Sequence, residues 1–274
     1  MKVKVLVFLS IGSILGMFMV GAARPTQKNS NDALPFSYLS LEIESTKTEF
    51  LPLEPIPLHL KLENATQEPV RGHAALEFSL NHVELFVVDS EGPVKRIDLA
   101  KPITKMVAVV EKPFQPGEVH RSNDLLTVGT NDTLARPGQY QIQAVLHSAN
   151  SYEQVKSNLL LVRVTEATGA NQRALDLIRS ESDLPDKFAG YNLSQNQRAL
   201  AILESLSDEF SETPYGDYAS FRVGEFYFYT EKYDKAKEYL DKLAAKPDFI
   251  FAKKASDLMN KLKGVSSEKV SQSP

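Results

Sequence analysis

Histidine titrates nearest neutrality and is the commonest metal ligand, so His59, His73, His82, His120 and His147 are the first candidates for chemistry. No two of them stand at the spacing of a helical zinc pair, and all five fall where the patterning has period two, so each reads as a strand or turn residue. Asp89 and Glu91 could offer carboxylates to a cation, but within Asp89-Ser90-Glu91-Gly92-Pro93 they read as turn formers. The chain has no cysteine, which removes thiolate metal sites, disulfides, a thiol nucleophile and lipid attachment at cysteine. It carries no Gly-x-Ser-x-Gly elbow, phosphate-cradling glycine loop or dinucleotide fingerprint. The expectation is a non-catalytic chain with no cofactor and no metal. An enzyme built from residues scattered along the chain is the reading this leaves against it.

Asn64-Ala65-Thr66, Asn131-Asp132-Thr133 and Asn192-Leu193-Ser194 match the glycosylation acceptor. They read instead as turn and cap residues. The formal charge of the 274 residues is −4, and an acidic chain with no basic cluster argues against nucleic acid or an anionic membrane as partner.

The N-terminus carries the compartment signal. Lys2 and Lys4 lead an apolar stretch from Val5 to Val20, followed by Gly21, Ala22 and Ala23. That order predicts a signal peptide over 1–23 and an exported chain, periplasmic or extracellular; an uncleaved anchor is the rival reading. Without Lys2 and Lys4 the charge becomes −6, which is −4 less two positive charges. Residues 24–36 are polar and turn-rich and read as a flexible leader.

From 37 to 166 apolar residues alternate with polar ones, as in Leu39, Leu41, Ile43 and again in Ile56, Leu58, Leu60, Leu62. Further strands are expected at Val83–Val87, Ile97–Leu99, Met106–Val110, Tyr140–Leu146 and Leu159–Val164, seven or eight in all, with turns at Pro116-Gly117 and Pro137-Gly138. Phe50 to Glu54 before an Ile-Pro-Leu strand ending in Asn64, then Pro116-Gly117-Glu118, Pro137-Gly138-Gln139-Tyr140 and Ser157-Asn158, resembles the immunoglobulin-like domains of exported bacterial proteins. The resemblance implies an antiparallel β-sandwich, with the Tyr140 hydroxyl closing a turn between sheets.

After Thr165 the period becomes 3.6, and residues 167–264 read as a helical domain, with 265–274 a disordered tail. Ser194 and Gln197 suggest a capping box, Asp217 a cap for the next helix, and Gly264 a final C-cap. Gly224, Tyr227, Tyr233, Ala236 and Pro247 resemble a tetratricopeptide repeat, with Ser220 standing where a large aromatic is common and Glu231 where a glycine often is. Such an array implies a groove lined by Tyr218, Phe221, Glu225, Phe228 and Tyr229, suited to a peptide segment. The alternative is that these aromatics are core.

The expected fold is therefore α+β and multidomain, an immunoglobulin-like sandwich followed by a tetratricopeptide-like array. The expected function is an adaptor or scaffold of the bacterial envelope that binds a protein or peptide segment. The alternative is a carbohydrate- or peptidase-binding sandwich with the helices as a stalk.

Overall fold

The computed structural model describes residues 33–78, 82–89, 92–97, 109–127, 133–149, 152–181, 184, 193, 196–244, 246 and 248–271. The expected signal peptide, most of the leader, residues 106–108 of an expected strand, the centre of the Asp89–Pro93 turn, and Ser194 lie outside them. The fold is α+β, with largely antiparallel sheets and, among the described residues, five α-helices. Residues 33–274 form one compact unit. No described helix is long and apolar enough to cross a membrane.

Period two in the sequence becomes strands because one face of each is buried. β1 (Ser40–Glu44), β3 (Ile56–Glu63) and β8 (Val119–Leu126) form one sheet in that order. Pro57 lies near the start of β3, beyond the stretch that β1 covers, so its missing donor interrupts no β1 bond. The larger sheet runs β2 (Glu49–Phe50), β11 (Leu160–Val164), β9 (Gly138–His147), β5 (Val83–Asp89), β6 (Lys95–Ile97), with β10 (Gln154–Lys156) also on β9. β4 (Val70–Gly72) and β7 (Lys112–Phe114) make a short ribbon.

Side-chain amides tie these pieces together. Asn158 accepts from the Ile43 N–H at 2.8 Å and donates to the Ile43 carbonyl at 3.0 Å, so one side chain stands in for a neighbouring strand. Asn64 is fully buried, with its Nδ2 donating to Glu68 O and Phe114 O and its Oδ1 accepting from Thr66 N–H. The first acceptor triplet is thus a buried turn pin. The Tyr140 hydroxyl donates to Arg136 O at 2.9 Å and closes the turn before β9. Gly138 is required there, because a Cβ would stand 2.8 Å from that hydroxyl.

The helices are α1 (Gly169–Arg179), α2 (Gln197–Glu209), α3 (Pro214–Tyr229), α4 (Tyr233–Ala244) and α5 (Ala252–Ser271). Their caps differ from the expectation. Asn196 caps α2, accepting from Ala199 N–H at 2.9 Å. Thr213 caps α3 with Pro214 at its first position, where a missing N–H costs nothing, which leaves Asp217 in the first turn. α5 continues through Gly264 to Ser271, past the expected cap and into the expected tail. One glycine costs a helix about 1 kcal/mol, and no proline follows before Pro274.

Gly224 allows α3 and α4 to approach: a Cβ there would lie 2.7 Å from Leu240, one turn beyond Ala236. Ser220 is buried on α3, where its hydroxyl meets that of Ser207 on α2 at 2.6 Å. Glu231 closes the α3–α4 turn at φ 59, in the left-handed region where glycine is usual. Leu58 and Ile142 from the sheets and Tyr215, Phe221 and Leu243 from the helices belong to one continuous core.

Because a left-handed L-residue costs about 1 kcal/mol, Glu231→Gly is expected to raise stability in urea titration by up to that amount. A lower midpoint would show that Glu231 makes a compensating contact.

Candidate functional site

The β2–β3 connection, Leu51-Pro52-Leu53-Glu54-Pro55, is where the sheets meet the helices. Glu54 N–H donates to Leu51 O at 3.1 Å across Pro52 and Leu53, and Leu53 takes φ 62. This is a type II turn with leucine where glycine is preferred. The conformation costs about 1 kcal/mol, whereas burying a leucine returns about 1.5–3 kcal/mol. Packing wins, and Leu53 is buried.

Glu54 is only 3 % exposed. Its Oε2 accepts from Leu51 N–H at 2.9 Å and its Oε1 pairs with the Lys47 ammonium, which also lies 4.8 Å over the Phe50 ring. The carboxylate is thereby paired and hydrogen-bonded, as a buried charge requires.

Tyr215 and Tyr218, one turn apart on α3, face this loop. Their hydroxyls donate to Pro52 O at 2.5 Å and Pro55 O at 3.2 Å. Burial first, and the Glu54 charge second, push both phenols far above their ordinary range. They therefore remain donors at any physiological pH.

Beside this contact opens a cleft of about 460 Å³. Its sheet side is Thr46, Lys47, Glu54 and Pro57; its helix side is Pro214, Asp217, Tyr218, Lys246, Asp248, Phe249 and Ile250. Lys246 Nζ donates to Asp217 Oδ1 at 2.6 Å and to Ser211 O at 3.2 Å. Burial pushes the Asp217 carboxyl up, and Lys246 pulls the other way. The Lys47 and Lys246 side chains are each close to half exposed, so each wall carries an ammonium fixed by a less exposed carboxylate. The arrangement can hold polar groups at fixed points around an apolar floor.

The five positions assigned to a repeat groove do not form one open surface. Tyr218 packs edge-on against Phe249, and Phe221 is fully buried and stacked on Phe251 at 4.4 Å. Glu225 is buried between Arg222 and Lys254, the latter at 2.7 Å. Burial lowers the Arg222 pKa, opposed by Glu225. Phe228 is half-buried, and Tyr229 alone of the five is exposed, at 68 %. The cause of this burial is plain: α5 and the Phe249–Phe251 segment cover that face of α3. Of the five, Tyr218 lines the cleft.

Lys47, Glu54, Asp217 and Lys246 were not singled out as site residues. The available signal was Glu54, a charge between two prolines in an apolar run. Three of the five histidines also converge, at the end of β5 and β9: the His73 and His82 rings lie 4.9 Å apart, and His147 pairs with Glu84 at 3.0 Å. Among the described residues no group of three or more His, Asp or Glu is placed to hold a metal ion.

No family model matches the chain, and no curated protein matches it significantly. Solved structures match over part of it. The sporulation control protein Spo0M of Bacillus subtilis is 12% identical over 52% of this chain and 55% of its own, with a TM-score of 0.31. The β-glucosidase EmGH1 of Erythrobacter marinus is 16% identical over 46% of this chain and 15% of its own, at 0.26. A GH3 β-glucosidase of Bifidobacterium adolescentis is 11% identical over 46% and 17%, at 0.25. The chain thus spans about half of the first of these and under a fifth of the other two.

Lys246→Met should cost about 1–2 kcal/mol at pH 7, less than a fully buried pair because the ammonium is half exposed. Asp217 has a folded pKa above its unfolded one, so the penalty on its ionised form is full above the folded value and fades as pH falls through it. The deficit of the variant should therefore shrink towards pH 4; a deficit independent of pH would reject the pairing. Tyr215→Phe and Tyr218→Phe should each cost about 1–3 kcal/mol by leaving a buried carbonyl unpaired. Wild-type thermal stability in both variants would show the two bonds to be dispensable.

Proposed function

We propose that this chain is an exported, non-catalytic adaptor of the bacterial envelope, which holds a segment of a partner protein in the cleft between its sheets and its helices. The observation that carries this reading is the cleft itself. Its walls are pre-set by the Lys47–Glu54 and Lys246–Asp217 pairs, and its floor includes Tyr218, Phe249 and Ile250. A site ordered before binding loses little entropy on capture. An aromatic and aliphatic floor with a few placed polar groups can seat the apolar side chains of a peptide and bond its backbone.

In this reading the sheet region is an immunoglobulin-like sandwich. The Tyr140 hydroxyl bond to Arg136 O, four residues upstream, supports it, since that bond closes the corner of such domains. The helical region is a short tetratricopeptide-like array. The close approach at Gly224 and the left-handed Glu231 support that assignment, because they are the two backbone requirements of a helical hairpin of that kind. Export rests on the lysine-led apolar N-terminus.

A photo-crosslinking residue placed at Ile250 on the cleft should give a discrete protein adduct in the native host. The same residue at Arg163, exposed on β11, should give none. An adduct from a third probe at Tyr229, with none from Ile250, would move binding to the helical ridge and overturn the cleft.

A further inference from the structure

The histidine cluster lies away from the cleft and is independent of its reading. β5 and β9 pair with Val83 opposite Leu146, which brings His82 and His147 side by side, and the His147 N–H donates to His82 O at 2.9 Å. His73, 1 % exposed, reaches in from the segment after β4 and stacks on Phe36 at 5.4 Å. Its Nδ1 accepts from Ala75 N–H at 3.2 Å, so its Nε2 carries the proton and donates to His147 O at 2.8 Å.

This bonding fixes a protonation state. A second proton on His73 would sit on Nδ1 and face the Ala75 N–H, turning an acceptor into a second donor and breaking the bond. The neighbouring His82 and His147 rings add like charge if either is protonated. Among the described residues, charged groups near the cluster include Glu84 of β5, bonded to His147; Arg96 of β6, 3.0 Å from Glu84; and Glu111, bonded to Ser148 and Ala149. Glu84 serves His147 and Arg96 together, so it compensates one imidazolium less than fully. The bonds at stake hold the segment that carries Ala75, Leu76 and Phe78 into the core, where the Phe78 N–H reaches Asp124 at 2.8 Å.

We propose that His73, His82 and His147 form a proton-operated latch: neutral, they pin segment 73–78 across the ends of β5 and β9, and charged, they release it. Burial first, and then His73 and His147, hold the His82 imidazole below its ordinary range. A base with a lowered folded pKa binds protons better when unfolded, so its site is fully stable above about pH 6.5 and loses stability as pH falls towards the folded value. The release is thus confined to mildly acidic conditions and reverses on neutralisation.

Hydrogen–deuterium exchange of the whole chain reads the latch directly. After correction for chemical exchange, protection of the amides at 75–78 should fall severalfold between pH 7.5 and pH 5.5, as protons bind the opened state better than the closed one, while α2 keeps its protection. His82→Gln keeps a polar, half-buried side chain but removes one charge, and the fall should then shrink to less than about threefold. Protection at 75–78 that does not change with pH overturns the latch, as does an equal fall in His82→Gln or a fall in α2 of the same size.

Discussion

Two phenol hydroxyls, one helical turn apart, reach two proline carbonyls three residues apart in a loop, and this contact joins the sheets to the helices. The spacing is matched because Tyr215 and Tyr218 recur on one face of α3 at the helical period, while Pro52 and Pro55 flank the Leu53–Glu54 turn. The prolines have no N–H to offer, so the loop cannot use its own backbone donors at these positions. A buried carbonyl without a donor is costly. The helix therefore supplies what the loop lacks.

The same contact shapes the cleft. It holds the Leu53 turn in a conformation leucine avoids and keeps Glu54 under the helix, where Lys47 and the Leu51 N–H stabilise its charge. On the opposite wall Asp217 depends on Lys246 in the same way. Each wall is thus a carboxylate drawn inward and an ammonium left partly outside. Such pairs contribute little to stability but fix where charge stands, which is the property a recognition site needs.

Much of the architecture was legible in the residues. Alternation over 39–43 and 56–62 becomes β1 and β3, the shift of period after Thr165 separates β11 from α1, and the Pro116-Gly117 turn appears with Gly117 at φ 76. Glu231 takes a positive φ, the conformation that glycine adopts most readily. Helix ends were less legible. Asn196 caps α2, and Thr213 rather than Asp217 caps α3, because several oxygen-bearing residues crowd each terminus and only backbone geometry selects among them. The aromatic positions of α3 divide among core, cleft and surface: helical period shows which residues share a face, but not what packs on it.

By itself the sequence determined the classes of element, their order and the absence of thiol chemistry, since these follow from local periodicity and residue type. Only the tertiary structure decided that Phe221 is core and Ile250 lines a cleft, that Pro52 and Pro55 each meet a tyrosine 163 residues further on, and that His73, His82 and His147 meet. Those outcomes depend on strand register and on how α5 closes over α3. Both are set by burial summed over the whole chain, which no local window of residues contains.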